Sequence, residues 1–493
     1  MEKERGNCLV DETAQKTVPQ EAFIDLCEDA LNWSSVPLSE IVNGGFRLEA
    51  SYFKIEGKHA REVVNHCKWA KQQLSGSNGF GYAYHRPRFR RIFVGSTGIP
   101  IYQPSQINET YPKPGLYISE LTDTDIDKLK VKENQILLTC SGTIGNVTLV
   151  SKTLDNLVLS HDVIRINLNH NNDIGYIYAF LKTKIGRILI TTNNYGAVVQ
   201  HIEPSHLENI LVPNPDAGIK EQIDDLIISS FQLRDESNTL IDDAEALLIS
   251  EMNLPTIGEL RSASAELNSY TVKLSSTDER LDASYHIPIV DAIIKQLQES
   301  ASEVTRLGDN RISKRIILPG RFKRVYVEEG QGRVFFGGKQ IHELDPSNKK
   351  YLSLARHGER IKGDLALKEN TILITRSGTI GKVNIAPKHW EGWVANEHII
   401  RVFPSNNEIA GYVFCWLNSE YGYELIKRFK YGAVVDEIDD NQVSQIQIPL
   451  LKNKEVQQQI NNLVLEANKK RYQAYVLEQE ALKLVNDLVI YGH

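Results

Sequence analysis

The stretch Glu133–Val150 reads ENQILLTCSGTIGNVTLV, and Glu369–Ala386 reads ENTILITRSGTIGKVNIA. Ser141 and Ser377 stand 236 positions apart in these two lines, and the agreement extends outward at nearly the same offset. RLEASY (Arg47–Tyr52) answers RLDASY (Arg280–Tyr285), and RFRRIFV (Arg88–Val94) answers RFKRVYV (Arg321–Val327). YGAVV occurs at both Tyr195–Val199 and Tyr431–Val435, and each copy closes on a proline, Pro213 or Pro449, before a long polar segment. Five matching blocks in one order, at offsets of 233 to 237, make the chain a tandem duplication of roughly 36–252 and 270–490.

Each half has the same internal order. A β-rich body comes first, in which runs such as ILLT and NVTLV alternate with Gly, Pro and Asn breakers. SGTIG lies between two apolar, β-branched runs, and its glycines permit positive φ, so it reads as a tight hairpin connection. A helix-like stretch follows from Ile174 to about Thr191, matched by Ile409 to Phe429. Each half then closes on a long heptad helix. In the first, Ile223, Ser230, Ser237 and Ala244 take the a positions, with Leu226, Leu233, Leu240 and Leu247 at d. In the second, Ile460, Ala467, Ala474, Ala481 and Leu488 alternate with Leu463, Lys470, Leu477 and Leu484. An isolated helix buries no apolar stripe, so each seam is expected to take the other as its partner. Antiparallel pairing then sends the two bodies to opposite ends of a rod. The expected fold is α+β: two pseudo-symmetric α/β bodies joined by a long antiparallel helical coiled coil. The expected segments are an N-terminal extension (1–40), body 1 (41–216), spacer helix 1 (217–252), a linker (253–280), body 2 (281–452) and spacer helix 2 (453–493).

Of the 493 residues, 41% are hydrophobic and 24% charged, ordinary values for a globular protein of two to four domains. The five cysteines (Cys8, Cys27, Cys67, Cys140, Cys415) lie far apart without a CxxC pair, which suits reduced thiols in a cytosol. The N-terminus holds no apolar run, and no stretch of about 18 apolar residues occurs, so neither a signal peptide nor a membrane span is expected. The net charge of −7 speaks against a nucleic-acid binder until its distribution is considered. Between Ile219 and Glu251 two basic residues face nine acidic ones, the same −7, so the rest of the chain is neutral on average. Within that remainder lie basic patches.

His85–Arg91 (HRPRFRR) carries Arg86, Arg88, Arg90 and Arg91 without an acid, and the second half answers with Arg321, Lys323 and Arg324. In an extended chain Arg88 and Arg90 point one way and Phe89 the other, and Phe322 repeats the arrangement between Arg321 and Lys323. Such arginines neutralise phosphates or fork onto guanine edges. Downstream, YQPSQ (Tyr102–Gln106) corresponds to FGGKQ (Phe336–Gln340): a shared frame around altered side chains, as a reading loop would have. Gln103, Ser105, Gln106, Lys339 and Gln340 offer base-edge chemistry there. The SGTIG turns add Ser141, Thr143, Arg376, Ser377, Thr379 and Lys382, either as a purely structural turn or as one that also touches DNA.

Signals for catalysis are poor. A Walker loop needs four residues between its glycine and GK, then Ser or Thr, whereas Val383 follows Lys382 and Asn146 replaces that lysine in the first copy. No adenosylmethionine motif is present, and Asn214–Pro215 runs into Asp216–Ala217. Glu56–Gly57–Lys58 matches half of a nuclease metal site, but the second repeat lacks it. His161 and His398 are one alignment position apart, opposite Glu397 and Asp162, so no shared metal-ligand set emerges and satisfied structural histidines are expected.

The two-fold repeat, RLDASY at the repeat start, ILxTxSGTIGxV, and a heptad helix closing each half resemble the specificity subunits of type I restriction–modification systems. The resemblance covers about 36–490. It implies two target-recognition domains, each reading one half of a bipartite double-stranded DNA site, with the paired helices setting their separation. It further implies docking of two modification (methyltransferase) subunits for adenine methylation and host defence, with a restriction subunit able to join. The chain would then hold no cofactor of its own, S-adenosylmethionine residing in those partners, and would act in the cytoplasm without membrane contact. A nuclease or methyltransferase built on a duplicated DNA-binding scaffold, and a non-catalytic coiled-coil scaffold, are the alternatives.

Overall fold

The computed structural model describes residues 35–43, 46, 48, 52–194, 200–264, 270–277, 280–346, 349–432 and 434–492. YGAVV at 195–199, most of RLEASY at 47–52 and nearly all of the N-terminal extension lie outside the described residues. In the first half, helix Ile55–His66 precedes strand Ala70–Gln73, which pairs antiparallel with Leu211–Asn214 at the far end of the body. The second half repeats this with helix Pro288–Ser300 and strands Glu303–Arg306 and Gln447–Leu450. Between these closing strands sits a four-stranded sheet in the order Gly81–Tyr84, Val163–Leu168, Ile136–Thr139, Val147–Leu149. Its twin runs Ser313–Ile317, Ile399–Pro404, Ile372–Thr375, Val383–Ile385. The apolar runs flanking SGTIG are the antiparallel pair at the end of each sheet, with Ile136 opposite Leu149 and Ile372 opposite Ile385. Gly142, Gly145, Gly378 and Gly381 take φ between 72° and 83°, the left-handed region that a side chain resists. A smaller sheet (Phe93–Val94, Leu116–Ile118, Ile99–Ile101) stands beside the first, and a four-stranded counterpart beside the second.

The helical stretch after the sheet is two helices in each half, not one: Ile174–Lys182 with Lys184–Thr192, and Asn407–Asn418 with Glu420–Lys427. Thr183 and Ser419 leave helical geometry at ψ 161° and 162°, and their side chains accept from the Gly186 and Gly422 amides. A hydroxyl that caps a new N-terminus costs the preceding helix its continuation. The first helix of each pair lies against a long helix. Asp224 accepts from the Gly175 amide, and Asn461 from the Gly411 amide at 2.8 Å. A β-carbon on Gly175 would sit 2.7 Å from Asp224 Cα, and one on Gly411 2.3 Å from the Asn461 carbonyl oxygen, so glycine sets this close approach.

The long helices are Ala217–Met252 (36 residues) and Lys454–Leu484 (31 residues). Ile223, Ile227 and Phe231 share a core with Ala481, Val485 and Val489, while Ile241, Ala244 and Leu248 share one with Ile460, Val464 and Ala467. The start of each helix meets the end of the other, so the pair is antiparallel. The seam differs from the a/d assignment. The a positions are buried, but their partners are four residues on: Ile227, Ile241 and Leu248, and Val464, Arg471, Glu478 and Val485. Leu226, Leu233, Leu240 and Leu247 are half-buried, as are Leu463, Lys470, Leu477 and Leu484. The bodies explain the shift: helices Ile174–Lys182 and Asn407–Asn418 pack along the rod and widen its apolar stripe towards i+4, as in a globular helix. Leu488, placed at an a position by the heptad count, is exposed because Val485–Ile490 is a π-turn that advances the buried positions to Val489 and Ile490.

The bodies are not confined to the two ends of the rod. Halfway along it the Thr110 amide and hydroxyl donate to the His342 carbonyl at 2.8 and 3.1 Å, and Lys382 Nζ pairs with Glu109 at 3.0 Å. Glu109 and Glu343, equivalent in the duplication, face each other in an isolated antiparallel bridge on the pseudo-two-fold axis.

Candidate nucleic-acid interface

Residues 85–92 run without regular structure into the small sheet of the first body. Phe89 is anchored against the cluster of Ile101, Ile118, Leu129 and Val158, and its ring meets His161 edge-on at 5.7 Å. Its neighbours Arg88 and Arg90 are exposed. The second body repeats the device: Phe322 packs on Phe335, Leu352, Ile361, Leu365 and Val394, between exposed Arg321 and Lys323. Among the described residues no carboxylate ion-pairs with Arg88, Arg90 or Lys323, and Arg321, 72% exposed, only approaches Glu437 at 3.6 Å. Each body therefore presents two exposed cations on one edge, with an aromatic root beneath them: Arg88 and Arg90 in the first, Lys323 and the Glu437-paired Arg321 in the second.

The last arginine of each segment turns inward. Arg91 bonds Asp162 at 3.3 Å, the Gln103 side-chain oxygen at 3.3 Å and His161, while Arg324 is paired with buried Glu397. The swapped order His161–Asp162 and Glu397–His398 thus delivers one acid to the same arginine in each half. His161 lies 3.4 Å from Asp162, and His398 accepts from or donates to Ser377 Oγ at 2.7 Å. Burial, helped by Arg91 and Arg88, lowers the His161 pKa against the pull of Asp162. Arg86 is half-buried with its guanidinium 4.8 Å from the centre of the Tyr84 ring.

The loop glutamines divide into frame and tip. Gln106 Oε1 accepts from the Gln103 amide at 3.0 Å, and Gln340 Oε1 from the Gly337 amide at 3.3 Å, so both close the short 3₁₀ turns Pro104–Gln106 and Gly338–Gln340. The exposed residue at each tip is Ser105 in one body and Lys339 in the other. In the SGTIG turns, Thr143 and Thr379 are exposed, and their carbonyls accept from the Thr139 and Thr375 hydroxyls at 2.6 Å. Ser141 and Ser377 bridge through their backbones to His201 and Glu437. Arg376 donates to the Ile438 carbonyl at 3.1 Å and pairs with Glu437; Lys382 pairs with Glu109. Both cations are spent inside the chain, which separates them from Arg88, Arg90 and Lys323. Cys140, at the position equivalent to Arg376, is buried, and burial pushes its thiol up to about 12.

Two residues that pattern reading missed stand behind these edges. Arg165 and Arg401, equivalent in the duplication, are fully buried in the central sheets. Arg165 donates to the Leu129 carbonyl at 2.9 Å, and Arg401 to the Ile399 carbonyl at 2.6 Å and to that of Ala395. Burial lowers them to about 10 and about 9, so both remain charged at neutral pH while tying loops to the sheets. The signal was an arginine inside an otherwise apolar strand, VIRINL and IIRVFP. Glu56 and Lys58 belong to helix Ile55–His66, and no group of three or more metal-ligating side chains converges among the described residues. Nor is any described helix long and apolar enough to cross a membrane.

Residues 89–240 and 333–464 match a protein family described as the type I restriction modification DNA specificity domain. Among solved structures, the chain is similar to a type I restriction-modification system S subunit from M. genitalium, with 16% identity, a TM-score of 0.34, and 85% of this chain and 96% of that one covered. It is also similar to a chain from work on complex assembly and conformational transition of the type I R-M system (14% identity, TM-score 0.26, coverage 84% and 96%). A third similar chain is the HsdS subunit from Thermoanaerobacter tengcongensis (12% identity, TM-score 0.27, coverage 84% and 98%). No curated protein matches the chain.

Proposed function

The chain belongs to the type I restriction–modification DNA specificity family, whose subunits recognise DNA sequence, and from that premise we propose that its two bodies read the two halves of a bipartite, asymmetric site. The observation that carries this is the twinned basic edge: Arg88 and Arg90 astride Phe89, Arg321 and Lys323 astride Phe322, held on one antiparallel rod. Exposed cations on an extended, aromatic-rooted edge suit phosphates and guanine edges. Asymmetry follows from what differs between the twins. Lys339 replaces Ser105 at the loop tip, and helix Leu354–Arg360 brings Arg360 over the Phe322 ring, where the first body has the shorter Ile126–Leu129. We assign base contact first to these edges and tips, and leave Arg376, Lys382, Gln106 and Gln340 to the framework.

The rod suits protein rather than DNA. Glu221, Asp225, Asp242 and Asp243 are exposed along the first long helix, a surface that repels phosphates. In this reading the rod docks two modification subunits, which supply S-adenosylmethionine and the chemistry, with a restriction subunit able to join them in the cytoplasm. The chain itself is the guide and not the catalyst. The test is methyl transfer to duplex DNA by the purified chain, alone and with modification subunits. Transfer is expected only in the mixture, and transfer or strand cleavage by the chain alone would refute the assignment.

A further inference from the structure

The pseudo-two-fold axis relates two polar sites on the rod, and they are not alike. On one side Arg234 pairs with Glu478 at 2.6 Å; Glu478, 1% exposed, also accepts from the Tyr178 hydroxyl and lies 3.8 Å from Lys182. The cavity these groups line has a volume of only about 30 Å³. On the other side the duplication keeps the arginine, Arg471, and replaces everything that answered it. Ile241 stands at the position of Glu478, Phe414 at that of Tyr178, and Asn418 at that of Lys182. Here the cavity has a volume of about 730 Å³, lined by all four and by Trp390.

Arg471 is 7% exposed. Its contacts are long bonds to three neutral oxygens: Ser237 Oγ at 3.3 Å, Asn238 Oδ1 at 3.4 Å and Asn384 Oδ1 at 3.5 Å. No acidic side chain among the described residues ion-pairs with it. Burial pulls its guanidinium down to about 10, so it keeps its charge at neutral pH. Arg165 and Arg401 are also buried without an acid, but short bonds to backbone carbonyls offset the cost of burying their charge, whereas Arg471 has only these long ones. A cavity of this size is in the range that takes a small organic molecule.

We infer that the wider cavity binds a small organic anion. Its carboxylate or phosphate head takes the place beside Arg471 that the Glu478 carboxylate takes beside Arg234, and its apolar body lies against Ile241, Phe414 and Trp390. This goes beyond DNA recognition and does not depend on it. Phenylacetate and phenyl phosphate serve as probes, titrated calorimetrically into the full chain and into two variants. In R471M the cation is gone. In I241E the missing carboxylate is restored from within, so this variant is expected to unfold no earlier than the wild type. Saturable binding of at least one probe is expected in the wild type, and each variant should weaken it by about tenfold or more, the worth of a charge-assisted bond. Binding of phenylacetate alone assigns a carboxylate head, and of phenyl phosphate alone a phosphate. No binding of either probe to the wild type, or equal binding to I241E, overturns the inference. Duplex DNA binding, measured in parallel, tests the family reading separately.

Discussion

Adding one heptad to each long helix lengthens the rod without disturbing its seam, and the structure sets what this does to the DNA site. The insertions go at the pseudo-dyad, after Ser237 and after Arg471, because these residues meet there at 3.3 Å. Seven residues at about 1.5 Å each add about 10 Å, or about three base pairs at 3.4 Å. The bodies stay on their own ends of the rod, through Gly175 on the first long helix and Gly411 on the second, so both move with it. What breaks is the mid-rod junction: two bonds from Thr110 to His342, the Lys382–Glu109 pair, two bonds from Asn238 to Thr110 and Thr153, and the Tyr111–Asp242 and Gln479–Asp345 bonds, in all about 7 kcal/mol at about 1 kcal/mol each. An added heptad turns the rod by only about 20°, whereas three base pairs turn the duplex by about 100°. The lengthened protein is therefore expected to read the same two half-sites with a gap about three base pairs wider, and to bind that site more weakly than the wild type binds its own. The assay is methylation mapping with the variant in the assembled complex. A control variant, K382A, breaks the mid-rod pair alone and is expected to leave the gap unchanged. An unchanged gap in the double insertion with methylation intact, or a gap altered by K382A, would refute the claim that the helices set the spacing.

The exposed arginines make a charge prediction: R88A with R90A weakens DNA binding and flattens the plot of log K against log salt by up to about 0.9 for each phosphate no longer neutralised. An unchanged slope would leave these arginines as a solvated surface. For Glu478, replacement by Gln leaves the half-buried Arg234 without its charge partner and is expected to cost about 3 kcal/mol, read as the urea midpoint followed by tryptophan fluorescence. Burial alone would raise the Glu478 carboxyl, but Arg234, Lys182 and the Tyr178 hydroxyl outweigh it and hold the group at about 2, below its ordinary 4.5. A depressed carboxyl stabilises the fold above its unfolded pKa, so the gap between wild type and E478Q should be full at pH 6 and shrink as pH falls from about 4.5 towards 2. A gap that does not vary over that window would mean the carboxylate is not held by its partners.

Much of this architecture was legible because it repeats. The hairpin around Ser141 and Ser377 is local: glycines at fixed positions between β-branched runs admit one turn, and the chain needs no distant partner to make it. The anchoring of Phe89 and Phe322 followed from two-residue alternation alone. What escaped needs contacts that sequence spacing does not contain. The heptad count selected Leu226 and Leu233, but the face that packs was decided by helices contributed from each body, which favour Ile227 and Phe231. Gln106 and Gln340 have the chemistry of base readers, yet an amide three residues back already claims each side-chain oxygen. Arg376 and Lys382 read as free cations until Glu437 and Glu109 arrive from elsewhere in the chain. Only the three-dimensional twin of Arg234 identifies Arg471 as a buried cation whose carboxylate partner the duplication has replaced.

That two unlike bodies on one rod read two unlike half-sites can be checked by mapping methylated adenines across the genome of cells with and without the gene for this chain. The expected result is one bipartite motif with two different halves separated by a fixed gap, present with the gene and absent without it. A methylation pattern that does not change when the gene is removed, or a motif that is a perfect palindrome, would contradict it.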